Sequence, residues 1–420
     1  MTSNNRGKLP MRVIYFFLSC AGFGVVETEY DRKILNISLG AFLLLSTTSI
    51  YFSATNFYLK FKRGIMSDTI EASFPVMTSC LTHFKLLLFT FQRTPYERLL
   101  WLTNQTLWVE SFTEYGKIVL EKCERRAQIF LFVFVILGHA SGFGWIFEPL
   151  VLNMRSNHTR HLPTEVIVGV PLFESPNYEI FFAINVLGIY TITILYFCFD
   201  FYLVLVNIFV VGQFAILRER FETIYSVKPD KSAMRNHHEN EKMNQRPLAT
   251  VDYNYILLEL KSCAKQHQFL ISVVNEVENI HNLMNLAQVL MISLIICLAG
   301  YPLLMPGSAI TIIKNGVFIC SCLIQLFTYT LSCHNIMIAS SELAHGIYFS
   351  RWYHENHTEI GRSLSKTFII VFLKTQSPCY LTAWRFFPIT LDTLKSVTIG
   401  LQRCGYHDKI SEAKKIQPKH

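Results

Sequence analysis

Six long apolar passages constrain this chain more than any other feature: Ile34–Tyr51, Phe74–Phe91, Gln128–Leu152, Ile180–Ile216, Leu286–Leu304 and Ile310–Ala339. About 20 apolar residues in helical form cross the hydrocarbon core of a bilayer, and a helix satisfies its own backbone polar groups there. The passages therefore predict an all-α polytopic membrane protein. Residues are 51% hydrophobic and 16% charged, whereas a soluble domain has about 25% charged residues. The net charge of +8 comes from dispersed basic residues, which does not describe a nucleic-acid surface. Cys80, Cys198, Cys297, Cys320, Cys322 and Cys333 lie inside apolar passages. They read as small hydrophobes, and no disulfide framework or metal spacing follows.

A seventh passage, Phe368 to Gly400, is apolar but interrupted by Lys374, Arg385, Asp392 and Lys395. Pro378 and Pro388 break any single helix within it. Unpaired charge in lipid is costly, so this passage is expected to span the membrane against protein or water. The apolar run near the start, Val13 to Gly24, is too short for an ordinary span. It reads as an interfacial or re-entrant helix retained in the mature chain.

Within the spans, His83 and Lys85 occupy the second, and Lys85 requires a cavity or a partner at that depth. Gly138, Ser141, Gly142 and Gly144 in the third permit close helix approach. Residues 92–127 read as amphipathic helix outside the membrane, and residues 153–177 as a polar loop. The 217–280 region is a cytoplasmic helix-loop-helix whose centre, Lys228 to Pro247, has no apolar periodicity. Its second helix is predicted to run from Tyr253 directly into the fifth span. The chain reads as one domain over 1–420, with an anchor and seventh helix over 340–400 and a polar tail over 401–420.

Lys and Arg concentrate before the first span and in the 92–127, 217–280 and 340–377 segments. The positive-inside rule then places the N-terminus in the cytoplasm, and seven spans place the C-terminus outside. Asn157-His158-Thr159 falls in an extracellular loop, where Asn157 is expected to accept a glycan.

The chain has no GxGxxG, P-loop, HExxH or GxSxG. No nucleophile stands beside an activating base, so enzyme chemistry is not expected. His237-His238 reads as a solvated pair in the polar loop. Glu148, before Pro149, either lines a vestibule or caps the membrane surface. A transporter would show a second copy of the broken helix. A G-protein-coupled receptor would need its N-terminus outside. A ligand-gated channel subunit fits a broken, polar last helix.

Three stretches carry a family resemblance. Arg160 to Asn185, RHLPTEVIVGVPLFESPNYEIFFAIN, resembles the second extracellular loop of insect odorant receptors. Gln325 to Tyr353, QLFTYTLSCHNIMIASSELAHGIYFSRWY, resembles their sixth helix and its exit. Within Arg362 to Val397, the run PCYLTAWRFFPITLDT is similar to their seventh-helix signature. The gustatory relatives' T-Y-x-x-x-x-x-Q-F signature is not seen, so a gustatory-type channel subunit is the second reading.

The resemblance implies a variable tuning subunit that joins a shared co-receptor in a tetramer. It gates a cation channel in the plasma membrane of olfactory sensory neurons. A small volatile ligand would bind among the outer halves of the helices, without cofactor or metal. Met77, Phe84, Gly142, Trp145, Phe182, Tyr190 and Phe318 are the residues expected to surround it. The seventh helix would line the pore, with Pro388, Asp392, Lys395 and Val397 at the pore or a subunit interface. Ser340 to Thr393 would form the intersubunit anchor. The chain departs from the family after Leu394, where Lys395-Ser396-Val397 and a polar tail replace an aromatic-rich helix end. That departure is expected to weaken assembly or conduction.

Overall fold

The computed structural model describes residues 9–26, 28–107, 113–155, 160–167, 171–225, 253–304, 309–350, 352–355 and 359–396. The α-helices among them are α1 Leu9–Cys20, α2 Glu29–Arg63, α3 Met66–Phe91, α4 Arg93–Thr106, α5 Glu114–Arg155, α6 Asn177–Thr223, α7 Tyr253–Leu304, α8 Ala309–Phe349 and α9 Glu359–Thr375, with a short helical stretch at 391–396. Six of these, α2, α3, α5, α6, α7 and α8, are long and apolar enough to cross a membrane. The expected all-α polytopic architecture is present, and each of the six apolar passages lies on one of these helices.

Helix α6 is the centre of the bundle. In its most apolar window 83% of the residues are buried, against 22% for α2 and 28% for α5. It packs against α8, α5, α2, α7, α3 and α1. A helix apolar on all sides is stable where neighbours surround it. Phe199, Tyr202, Phe209, Phe214 and Phe221 are fully buried along it. Helices α2 and α5 instead leave large apolar side chains outward, such as Leu44, Ile129 and Ile136, as a lipid-facing surface requires.

The short N-terminal helix packs into this core. Met11, Ile14 and Leu18 share one face of α1 and are buried, at the spacing of an amphipathic helix. The turn to α2 depends on Gly22, which has φ 90°. A Cβ there would stand 2.5 Å from Cβ of Leu39. Helix α2 then starts on a capping box, in which Thr28 and Asp31 satisfy each other's backbone N–H.

Helix α7 runs unbroken through 52 residues, as its sequence predicts. The 92–127 stretch, read as amphipathic helix, falls on two helices. Arg93–Thr106 forms α4, while Glu114 onward belongs to α5, continuous with the third span. No breaker interrupts the sequence there, so the helix propagates.

The seventh passage is not one helix among the described residues. Helix α9 ends at Thr375. Residues 382–388 then form a small antiparallel hairpin that pairs Thr382 with Pro388 and Ala383 with Phe387. Its turn residues Trp384 and Arg385 have φ 47° and 61°. Residues 391–396 are helical again. The breaks fall at Pro378 and Pro388, the positions where proline withdraws a backbone donor. The hairpin is fastened to α7: Thr382 N donates to Glu278 Oε2 at 2.8 Å, Trp384 N to the Asn282 carbonyl at 2.9 Å, and Asn285 Nδ2 to the Thr382 carbonyl at 3.0 Å.

Candidate functional site

Helices α2, α3, α5, α6 and α8 do not close completely on one another. They leave a cavity with an empty volume of about 830 Å³ at the end of the bundle that carries the α2–α3 turn. Small residues open it: Ser49 and Ser53 on α2, Ser79 on α3, Ser141 and Gly142 on α5, Ser321 on α8. Aromatic rings line the rest, notably Phe52, Trp145, Phe197 and Phe318. Phe318 also stacks on Phe74 at 5.6 Å, which fixes the α3–α8 wall. Thr193 and Phe197 separate this cavity from an apolar one of about 480 Å³ between α1, α5 and α6.

Several hydroxyls of the lining are already engaged. Thr78 donates to the Phe74 carbonyl, Thr193 to Ile189 and Ser321 to Val317, each at 2.8 Å. Residues 160–167 cover part of the cavity and contribute Thr164, which donates to Asn185 Oδ1. This segment is held from α2. Arg63 pairs with Glu165 at 2.6 Å, Tyr51 Oη donates to the Ile167 carbonyl at 2.8 Å, and Glu165 N donates to Asn56 Oδ1 at 3.2 Å.

A charged network adjoins the lining from below. Lys85 Nζ on α3 donates to Asp200 Oδ1 on α6 at 2.7 Å, with both side chains fully buried. Gln288 Nε2 on α7 donates to Asp200 Oδ2 at 2.6 Å, and Gln325 Nε2 on α8 donates to the same oxygen. Four helices thus meet on one carboxylate. Lys85 Nζ also stands 4.7 Å from the ring centre of Tyr196, and Tyr196 and Gln325 both line the cavity. The partner that Lys85 requires is Asp200.

A second charged group lies against Trp145. Lys314 on α8 pairs with Glu71 on α3 and Glu148 on α5. Thr311 Oγ1 donates to Glu148 Oε1 at 2.8 Å. The Lys314 ammonium lies 4.3 Å from the Trp145 ring centre, a cation–π contact that orients the indole. Glu148 therefore belongs to a partly buried ionic cluster beside the cavity.

Of the seven side chains expected around a ligand, Gly142, Trp145 and Phe318 line this cavity. Met77 packs beside it against the α3–α7–α8 cluster. Phe84 is turned outward on α3. Phe182 packs on Tyr178 at 5.9 Å and Tyr190 on His139 at 6.1 Å. Of the expected pore or interface residues, Pro388, Asp392 and Lys395 are exposed, while Val397 and the glycosylation candidate Asn157 lie outside the described residues. Sequence reasoning missed Asp200, Gln288, Gln325, Tyr196 and Lys314. A carboxylate inside the apolar run FCFDFY is the signal that marks Asp200.

The geometry has known counterparts. A family model described as 7tm Odorant receptor matches residues 65–400. Odorant receptor Or2 of Anopheles gambiae is 20% identical over 280 residues, covering 66% of this chain and 68% of that protein. Odorant receptor 10 of Aedes albopictus is 21% identical over 239 residues, 57% of each chain. The insect olfactory receptor OR5 from Machilis hrabei superposes with a TM-score of 0.75 at 14% identity, over 94% of this chain and 95% of that one. A structure of that receptor in complex with eugenol superposes equally well. At this identity the likeness is one of fold.

Proposed function

From the premise that this chain belongs to the insect odorant-receptor family, a family of multi-pass membrane receptors of channel type and not of enzymes, we propose that it is a tuning subunit. It binds a small volatile ligand in the cavity among α2, α3, α5, α6 and α8. It gates a cation channel together with a shared co-receptor in a tetramer, in the plasma membrane of olfactory sensory neurons. Seven spans with a cytoplasmic N-terminus are part of this reading, and the cavity then lies in the extracellular half of the bundle.

The observation that carries the proposal is the cavity itself. It is formed among five helices, lined by aromatic rings and small polar residues, and bounded by two ionic clusters that position Tyr196 and Trp145. Concave sites lined by aromatic and apolar side chains with a few placed polar groups are the usual form of a small-ligand site. Asp392, Lys395 and Pro388 are exposed at the end of the seventh passage. Their exposure suits a subunit interface or aqueous path, since charge facing lipid is costly.

The experiment is expression of the chain alone and with an odorant-receptor co-receptor, recording odorant-evoked current. Current is expected only on co-expression. Robust ligand-gated current from the chain alone would overturn the heteromeric reading. An N-terminal tag labelled on unpermeabilised cells would overturn the orientation.

A further inference from the structure

The polar atoms of the cavity are not evenly used. Gln325 is buried, with 1% exposure, and its Oε1 has no hydrogen-bond partner. The orientation of this amide is fixed by chemistry. Asp200 accepts from Lys85 and Gln288 as well as Gln325, and an ionised carboxylate can only accept, so Nε2 must face it. Oε1 is then a buried carbonyl acceptor left over on a residue of the cavity lining. Tyr196, also buried, stands within hydrogen-bonding reach of the Gln325 amide, and its hydroxyl has no other partner among the described residues. Its ring is held by the Lys85 ammonium. The nearby hydroxyls Thr78, Thr193 and Ser321 are committed to their own helix carbonyls.

A buried acceptor without a donor is costly and is rarely left without a role. Gln325 Oε1 needs a donor. The Tyr196 hydroxyl can donate as well as accept. One small group answers both: a hydroxyl, which donates through its hydrogen and accepts on its oxygen. An ether, ester or ketone oxygen only accepts and leaves Gln325 Oε1 unpaired.

We propose that the Tyr196–Gln325 corner is a hydroxyl subsite, and that the ligands of this chain are small, largely apolar alcohols or phenols. The body of such a ligand lies against Phe197, Phe318 and Trp145, and its hydroxyl reaches the corner, donating to Gln325 and accepting from Tyr196. This inference rests on the proposal that the cavity is the odorant site.

The test co-expresses the full-length chain with a co-receptor and measures half-maximal concentrations for matched triplets. One is 2-phenylethanol, its methyl ether and propylbenzene; another is 4-ethylphenol, 4-ethylanisole and 4-ethyltoluene. The hydroxyl member is expected to be about three- to tenfold more potent than the ether, the range one net hydrogen bond supplies. In Gln325→Met that advantage should fall below about twofold, because the acceptor is gone. Tyr196→Phe should weaken alcohol and ether alike, since both oxygens can accept from Tyr196. The alcohol-to-ether ratio is read on the same cells and does not depend on surface abundance. If Gln325→Met fails to reach the surface, the wild-type and Tyr196→Phe ratios decide. Ethers as potent as alcohols in the wild type would overturn the hydroxyl subsite. Silence to both triplets with responses to ketones, esters or hydrocarbons would overturn it too, leaving the odorant reading intact. Silence to every odorant, with the heteromer at the surface, would overturn both.

Discussion

Lys85 on α3 and Asp200 on α6 form an ion pair at 2.7 Å with no solvent exposure on either side chain. Removing one partner of such a pair leaves a buried charge without compensation, at a cost of about 3–5 kcal/mol. Asp200→Ala is therefore expected to abolish most surface delivery, and Lys85→Met to do nearly as much. The double variant Lys85→Met with Asp200→Leu removes both charges and should recover part of the loss. Surface biotinylation of all three against the unmodified chain checks this. Equal loss in the double and single variants would show that the two charges do not act as a pair.

Gly22 and Gly64 offer a controlled comparison. Both have positive φ, 90° and 79°. A Cβ at Gly22 meets Leu39 at 2.5 Å, whereas nothing lies within 4 Å of one at Gly64. Gly64→Ala should cost only left-handed backbone strain, about 1–2 kcal/mol. Gly22→Ala adds a collision that should cost about 1–3 kcal/mol more and loosen α1 from α2. Thermal unfolding of the detergent-purified proteins should rank Gly22→Ala well below Gly64→Ala. Equal midpoints would contradict the tight α1–α2 turn.

How much of this was legible in the sequence varied with the length scale of the signal. The long helices follow from apolar run length, and the continuous α7 from an absence of breakers over Tyr253–Leu304. The need of Lys85 for a partner was legible too, because charge at that depth is costly. Its partner was not, because pairing across 115 residues depends on which faces of α3 and α6 meet. The hairpin at 382–388 was hidden for a different reason. Its turn places Trp384 and Arg385 at positive φ, where Asn and Gly would have announced it. Those residues are tolerated because backbone bonds to α7 hold the hairpin in place. The cavity was half legible: Gly142, Trp145 and Phe318 were found from residue type and depth, while Phe84 has the right type but the wrong face.

Trp145 and Phe84 accordingly separate pocket from periphery. Trp145 lines the cavity and lies 4.3 Å from the Lys314 ammonium. Phe84 is 37% exposed and does not line it. Trp145→Ala is expected to shift odorant potency about tenfold or more, since a large aromatic contact is lost. Phe84→Ala should shift it less than about threefold. Dose–response curves normalised to surface label, taken with several odorants, provide the comparison. A larger effect at Phe84 would move the ligand site away from this cavity.

The fastening of the hairpin to α7 gives the last prediction. Glu278 on α7 accepts from Thr382 N at 2.8 Å and from the Thr382 hydroxyl. A carboxylate acceptor strengthens such bonds to about 1.5–3 kcal/mol each. Glu278→Ala should therefore release residues 376–390 while leaving the α3–α6 pair and the cavity intact. Thr382→Val keeps the backbone N–H bond and loses only the hydroxyl, so its effect should be smaller. Hydrogen exchange in detergent is the direct measurement. Faster exchange confined to the hairpin, graded Glu278→Ala above Thr382→Val, is the expected pattern. The functional consequence follows from position, because this hairpin joins α9 to the short helix that bears Asp392 and Lys395. If that segment faces the pore, loosening its attachment to α7 should alter open probability without moving the relative potency of two odorants. A change in that relative potency instead would show that Glu278 acts through the ligand cavity and not through the hairpin.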